Sequence, residues 1–329
     1  MRRPSPFATS ALLATLAACA PDAPEGGPAG TGADSAAGLS GTQRAEAVSL
    51  LGDTLLAPVL PETVEAERVA RYREAEEALA ADPGNADALI WLGRRAAYLG
   101  RYGAAIDVFS RGIELHPQDA RLYRHRGHRY LTIRNFDAAI TDLRRAAELT
   151  AGKPDEVEPD GMPNAAGIPT STLQFNIWYH LGLAHYLKGD FAAAAEAYAQ
   201  CAAVSVHPDS KVATAYWQVM TLKRLGRTAE AERVLGGITP GMDVIESGGY
   251  LELLLLHKGE RSVEDLVGPG GADATLESTT TGYGVGAWLL IGGDRARAAD
   301  VFRRVVAGRD QWAAFGYVAA EAEMARMGG

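Results

Sequence analysis

Between residues 86 and 153, twelve Arg or Lys stand against seven Asp or Glu, a local excess of five positive charges. Arginine holds carboxylates through paired hydrogen bonds, and tyrosine adds rigid contact area at little entropic cost. The chemistry on offer is therefore carboxylate binding. The alternative is a solvated face of arginines paired with their own Asp and Glu. His125 and His128 stand three apart, and His180 and His185 follow later. Helical metal sites need ligands on a shared face with a carboxylate or further His close by, so these read as surface histidines. There is no His-Glu-x-x-His, no glycine-rich phosphate loop and no nucleophile elbow. No catalytic residue, metal or cofactor is expected, and the chain does not read as an enzyme.

The whole chain of 329 residues carries a formal charge of −9, which argues against a general nucleic-acid binder. Its two cysteines imply no disulfide framework. Met1-Arg2-Arg3 begins a basic region, and Phe7 to Ala18 is apolar but short for a membrane span, which reads as a secretory signal over residues 1–18. It ends Leu16-Ala17-Ala18-Cys19, which resembles the lipobox of bacterial lipoproteins. That resemblance implies cleavage before Cys19 and lipidation of Cys19; ordinary secretion with a chance cysteine is the alternative. By the same resemblance, Ala20 after the cysteine implies the outer membrane, facing the periplasm. Losing Arg2 and Arg3 takes the charge from −9 to −11. Residues 19–41 are rich in Pro, Gly, Ala and Ser and read as a disordered tether.

The elements that must position the basic stretch follow a 34-residue period. Leu92-Gly93, Gly100-Arg101-Tyr102, Ala105, Phe109 and Leu115-His116-Pro117 form one copy over 86–119. Arg126-Gly127, Arg134-Asn135-Phe136, Ala139, Leu143 and Leu149 form the next, so that 86–153 holds two. Each reads as two amphipathic helices with small residues where they approach. Residues 42–85 read as a divergent helical opening repeat, with Gln43 to Leu56 as its first helix. Residues 154–174 form a Pro-rich, acidic insertion. Residues 175–240 hold two further copies, the first carrying Trp178, Leu181-Gly182, Gly189-Asp190-Phe191, Ala194 and Tyr198. An irregular helical segment spans 241–278. A last copy with Gly293-Asp294, Ala298 and Phe302, and a capping helix from Gln311 to Met327, fill 279–329. No stretch alternates as a strand.

This period with these residues resembles the tetratricopeptide repeat (TPR). The resemblance implies an all-α fold: a TPR-type superhelical α-solenoid of stacked antiparallel helix pairs with divergent N- and C-terminal caps. Together with the lipobox, the run His257-Lys258-Gly259-Glu260 and the closing helix, it resembles NlpI-type outer-membrane lipoproteins. Those are adaptors that gather periplasmic proteases and cell-wall hydrolases and dimerise through N-terminal helices, so a homodimer is implied. The insertion at 154–172 and the broken opening helix depart from that pattern.

In TPR arrays the first helix of each repeat lines a concave groove. Carried across, the groove positions are Arg94, Tyr98, Arg121, Arg124, His128, Asn176, Tyr179 and Tyr186. The implied function is a periplasmic scaffold or adaptor holding an acidic peptide or a C-terminal carboxylate of another envelope protein. The alternative is a structural subunit of an envelope assembly. His125 falls on a position facing away from that groove. Ile90 stands where the first lysine of the chaperone-binding clamp would be. The acidic insertion reads as a surface loop; the alternative is a lid or internal ligand mimic. Cys201 takes a repeat position normally held by alanine and reads as a buried apolar residue. Trp178, Trp217 and Trp312 read as core.

Overall fold

Gly93, Gly127, Gly182 and Gly286 each stand sixteen residues before a bulky side chain: Phe109, Leu143, Tyr198 and Phe302. A Cβ on these glycines would lie 2.4, 2.9, 2.8 and 2.5 Å from those side chains. Each contact joins the two helices of one antiparallel pair: α2 (Ala86–Tyr98) with α3 (Tyr102–Leu115), and α4 (Ala120–Thr132) with α5 (Phe136–Thr150). Likewise α6 (Leu173–Lys188) pairs with α7 (Phe191–Val204), and α12 (Leu276–Ile291) with α13 (Arg295–Ala307). The sequence thus sets how closely each pair approaches. Helix starts are capped by Asn85, Asp119, Asn135, Asp190 and Asp294, whose side chains accept main-chain N–H bonds.

The computed structural model describes residues 44–267 and 276–328. The signal segment, Cys19 and the tether expected over 1–41 lie outside the described residues. The described chain is an all-α solenoid whose helix pairs stack in sequence order. It opens differently from expectation, because residues 44–56 do not form a helix. Strands β1 (Ala45–Val48) and β2 (Thr54–Leu56) make an antiparallel hairpin instead. The Ser49 hydroxyl accepts from the N–H of Leu51 and Asp53, and Gly52 takes φ +90° to close the turn. Leu55 is buried with Ile90, Tyr102 and Trp312, and the Trp312 indole donates to the Leu56 carbonyl at 2.7 Å. These partners lie far along the chain, so local spacing did not reveal the hairpin. Helix α1 (Glu62–Ala81) then packs Ala75 and Leu79 against Leu89 and Leu92 of α2.

Beyond α7 the array continues through α8 (Pro208–Arg224) and α9 (Thr228–Leu235), then α10 (Gly248–Lys258) and α11 (Val263–Val267). The irregular link into α10 is held by Asp209, whose carboxylate accepts from the N–H of Ile245, Glu246 and Ser247 at 2.7–3.1 Å. Helix α14 (Phe315–Met327) does more than cap α13. It also contacts α6 and α12, and the segment leading into it reaches the first repeat, where Trp312 meets Tyr102 edge-on at 5.3 Å.

One residue records what that closure requires. Gly100, Gly189 and Gly293 turn their helix pairs at φ +74°, +85° and +90°. At the equivalent place in the second repeat, Arg134 takes φ +69°, a left-handed conformation that costs about 1–2 kcal/mol for a residue with a Cβ. Its buried guanidinium pairs with Glu321 of α14 at 2.6 Å and donates to the carbonyls of Thr132 and Trp312. The Leu50 N–H is bonded to the same carboxylate. A side chain is tolerated at a glycine position because it ties the two ends of the array together.

Candidate functional site

Helices α2, α4 and α6 place their inner faces side by side, and the residues expected there divide three ways. Arg94, Tyr98, Arg124, His128 and Asn176 come together along one trough, joined by His125 and Arg129. Arg121 stands at the edge, its guanidinium forked onto Asp119 and bonded to Asp87 at 2.6 Å. Tyr179 and Tyr186 are in the core instead. The Tyr179 hydroxyl accepts from the Trp217 indole at 2.8 Å and bonds Tyr250, while Tyr186 accepts from Tyr283 at 2.8 Å. The reason is that α8, α10 and α12 curl onto the inner face of α6. Position in the repeat put these tyrosines on the inner face, and later helices then covered it.

The trough is not open either. The insertion, which read as a surface loop, lies across it as a strap. Its root is fixed by main-chain bonds from Glu158 N–H to Ser171 O (3.2 Å) and from Leu173 N–H to Glu156 O (2.8 Å). Glu158 lies 2.9 Å from the Arg124 Nε, and Asn176 donates to the same carboxylate at 3.2 Å. Arg94 donates to the Pro159 carbonyl at 2.8 Å, and Arg95 to the Gly161 carbonyl at 3.0 Å. Gly161 presses so close that a Cβ there would fall 2.0 Å from the Tyr98 hydroxyl. From the other side Phe315 of α14 sets its ring 5.3 and 5.5 Å from His128 and His180. Arg94, Arg124 and Asn176 are buried as a result.

Cavities of about 230 and 210 Å³ remain on either side of the Glu158 contact. The second is lined by Arg94, Arg124, Arg129, His125 and His128 beneath Glu158 and Asp160. His125 is therefore part of the trough and does not face away from it. It accepts from the Arg124 guanidinium at 3.1 Å through Nδ1 and stacks on Phe109. Burial, with Arg124, Arg94 and Arg129 adding to it, pushes its pKa well below the ordinary range. Burial likewise depresses His128, helped by Arg129, and His180, helped by Arg124. All three imidazoles are neutral at pH 7. Burial pushes the Arg129 guanidinium down to about 10, so it stays charged. It lies over the Tyr102 ring at 5.7 Å, and no described carboxylate forms an ion pair with it. The Arg124 Nε–H, though near Glu158, is not aimed at it and finds no hydrogen-bond acceptor.

The remaining arginines of the basic stretch are spent differently. Arg126 forks onto Asp142 at 2.7 and 2.8 Å, and Arg134 onto Glu321. What the charge count could not resolve is that Arg94, Arg124 and Arg129 concentrate in the trough. Elsewhere Cys201 is buried, bonded to the Thr214 hydroxyl at 3.1 Å, and burial pushes its thiol up to about 12, which suits a packing residue and not a nucleophile. Trp217 and Trp312 are fully buried and Trp178 partly so. Among the described residues no group of three or more His, Cys, Asp or Glu is placed to hold a metal ion, and no helix is long and apolar enough to cross a membrane.

The tetratricopeptide repeat family matches residues 65–120 and 173–205. No curated protein matches the chain. Solved structures similar to it include YrrB, described as "a TPR protein with an unusual peptide-binding site", at 12% identity and a TM-score of 0.40 over 71% of this chain and 91% of that one. MamA is 19% identical with a TM-score of 0.41, over 61% of this chain and 90% of that one. A tetratricopeptide repeat protein from Parabacteroides merdae is 15% identical with a TM-score of 0.46, over 74% and 87%. The matched residues take in α1 to α3 and then α6 with α7, the same helices whose glycine contacts and capped turns recur through the array. Over residues 65–120 and 173–205 the chain carries tetratricopeptide repeats.

Proposed function

We propose that this protein is a non-enzymatic interaction scaffold of the bacterial envelope, working in the manner of NlpI-type adaptors. In this reading Cys19 is lipidated, residues 19–41 tether the array to the outer membrane on its periplasmic side, and the trough of α2, α4 and α6 holds segments of other envelope proteins. The observation that carries the reading is the concentration of Arg94, Arg124 and Arg129 on one inner face of a repeat array. Concave solenoid surfaces are commonly used to hold extended segments, and guanidinium groups select carboxylates.

Tagged protein pulled down from envelope extracts, wild type beside Arg124→Glu, tests it. Partners lost with the charge reversal support the scaffold, and a protein that retains no partner at all sinks it. A Cys19→Ser variant found equally in the membrane fraction would remove the anchor. A second reading, a stoichiometric subunit of an envelope assembly, is favoured by the exposed Val48, Leu56 and Val59 at the leading hairpin. It requires partners indifferent to Arg124→Glu.

A further inference from the structure

We propose that the strap is an internal ligand, and that the trough's external partner is an extended acidic peptide carrying more than one carboxylate, which binds by displacing it. This rests on the scaffold reading and names its ligand. The strap's contacts are those a captured peptide would make. One side-chain carboxylate meets Arg124 and Asn176, and two main-chain carbonyls, of Pro159 and Gly161, meet Arg94 and Arg95. Between its anchors the strap makes no helix, and its one ladder contact is the bridge of Val157 to Thr172.

Its manner of seating separates it from a core segment. Val157 is 62% exposed, Met162 56% and Ile168 47%, while the polar atoms of Glu158, Pro159 and Gly161 point inward. A segment that served as packing would bury the apolar side chains. Clefts of about 230 and 210 Å³, partly open to solvent, flank the Glu158 contact, so the strap does not fill the trough. The strap is a loose occupant.

It also leaves the trough short of negative charge. Arg129 has no described carboxylate paired with it, whereas Arg124 is ion-paired with Glu158. Both groups line the 210 Å³ cavity beside Glu158. An incoming peptide that sets a carboxylate against Arg129 makes a pair that neither Glu158 nor Asp160 of the strap makes. The strap holds its place through tethering, since a linked ligand competes as if present at about millimolar concentration. Partners of ordinary affinity therefore engage only when they outcompete it.

The test uses the mature protein and a fluorescein-labelled peptide of residues 155–162, Asp-Glu-Val-Glu-Pro-Asp-Gly-Met. The control peptide has Gln or Asn at every acidic position. Two variants release the strap by different means: Glu158→Lys sets a cation against Arg124, and Gly161→Val adds bulk against Tyr98. By fluorescence anisotropy the acidic peptide is expected to bind both variants about tenfold or more tighter than wild type. Adding Arg124→Met to Glu158→Lys should remove that gain, and the control peptide should not bind. Equal binding to wild type and variants, or no binding to variants with native helical circular dichroism, overturns the proposal. Should one variant fail to fold, the other decides. Peptide failure with Arg124-dependent partners still recovered in the pull-down sinks the strap mechanism and leaves the scaffold standing. Peptide binding with no partner recovered does the reverse.

Discussion

Helix α6 runs through two neighbourhoods that differ in kind. At its start Asn176 faces the strap and a cationic trough with empty space in it. Further along, Tyr179 and Tyr186 join Tyr216, Trp217, Tyr250, Tyr283 and Phe302 in an aromatic core shared with α8, α10, α12 and α13. Both lie on the inner wall of the same repeat array. One is closed by helices that bring apolar side chains, the other by an irregular segment that brings carbonyls and a carboxylate. Apolar closure packs to density and is permanent, whereas a polar cover can be exchanged for water or for another polar ligand at small net cost.

That contrast is tested most severely at the tie between array ends. Glu321→Ala leaves the buried Arg134 guanidinium without its carboxylate, and the loss is expected to be about 3–5 kcal/mol by urea unfolding. A loss under 1 kcal/mol would mean that the ends separate as easily as the strap is meant to. Next in size, Gly286→Ala drives a Cβ to 2.5 Å from Phe302, and about 1–3 kcal/mol should be lost through overpacking. Gly161→Val also clashes badly, with Tyr98, but should cost less than Gly286→Ala because the strap can lift. Equal losses would erase the distinction.

Acid should act on the trough. His125 and His180 are buried with pKa values pushed below 6.5, so as pH falls below that value the unfolded chain takes up protons that the folded one refuses. Stability is then full above about pH 7 and falls by about 1.4 kcal/mol per pH unit for each such histidine. Thermal unfolding between pH 7.5 and 5 measures this, and His125→Phe should flatten part of the slope. The smallest effect is expected at Glu158→Gln. Arg124 and Glu158 are nearly as buried as Arg134 and Glu321, yet the loss should stay near 1 kcal/mol, because an undocked strap lets water reach Arg124. A loss of 3 kcal/mol or more would make the strap a structural part like the Arg134–Glu321 tie.

The helix pairs were legible because each is a local device. Gly93 with Phe109 and Gly127 with Leu143 meet across one turn, at a spacing that a 34-residue repeat preserves. The leading hairpin was not legible, since the partners of Leu55 and Leu56 include Trp312. In the trough, repeat position had offered Arg94, Tyr98, Arg124, His128 and Asn176, and the fold brings these side chains together. Repeat position missed Arg129, placed His125 on the wrong side, and offered Tyr179 and Tyr186 as surface. The acidic run Asp155 to Asp160, set against an excess of five positive charges, was the one signal that pointed to the strap.

By itself, the sequence determined the helices, their caps and the closeness of each pair, because those depend on residues within a few turns of one another. Which inner surface stays available was decided only in three dimensions. The strap, α10, α12 and α14 arrive there from distant parts of the chain, and burial of a charge or a tyrosine depends on what lands on it, which no local spacing encodes.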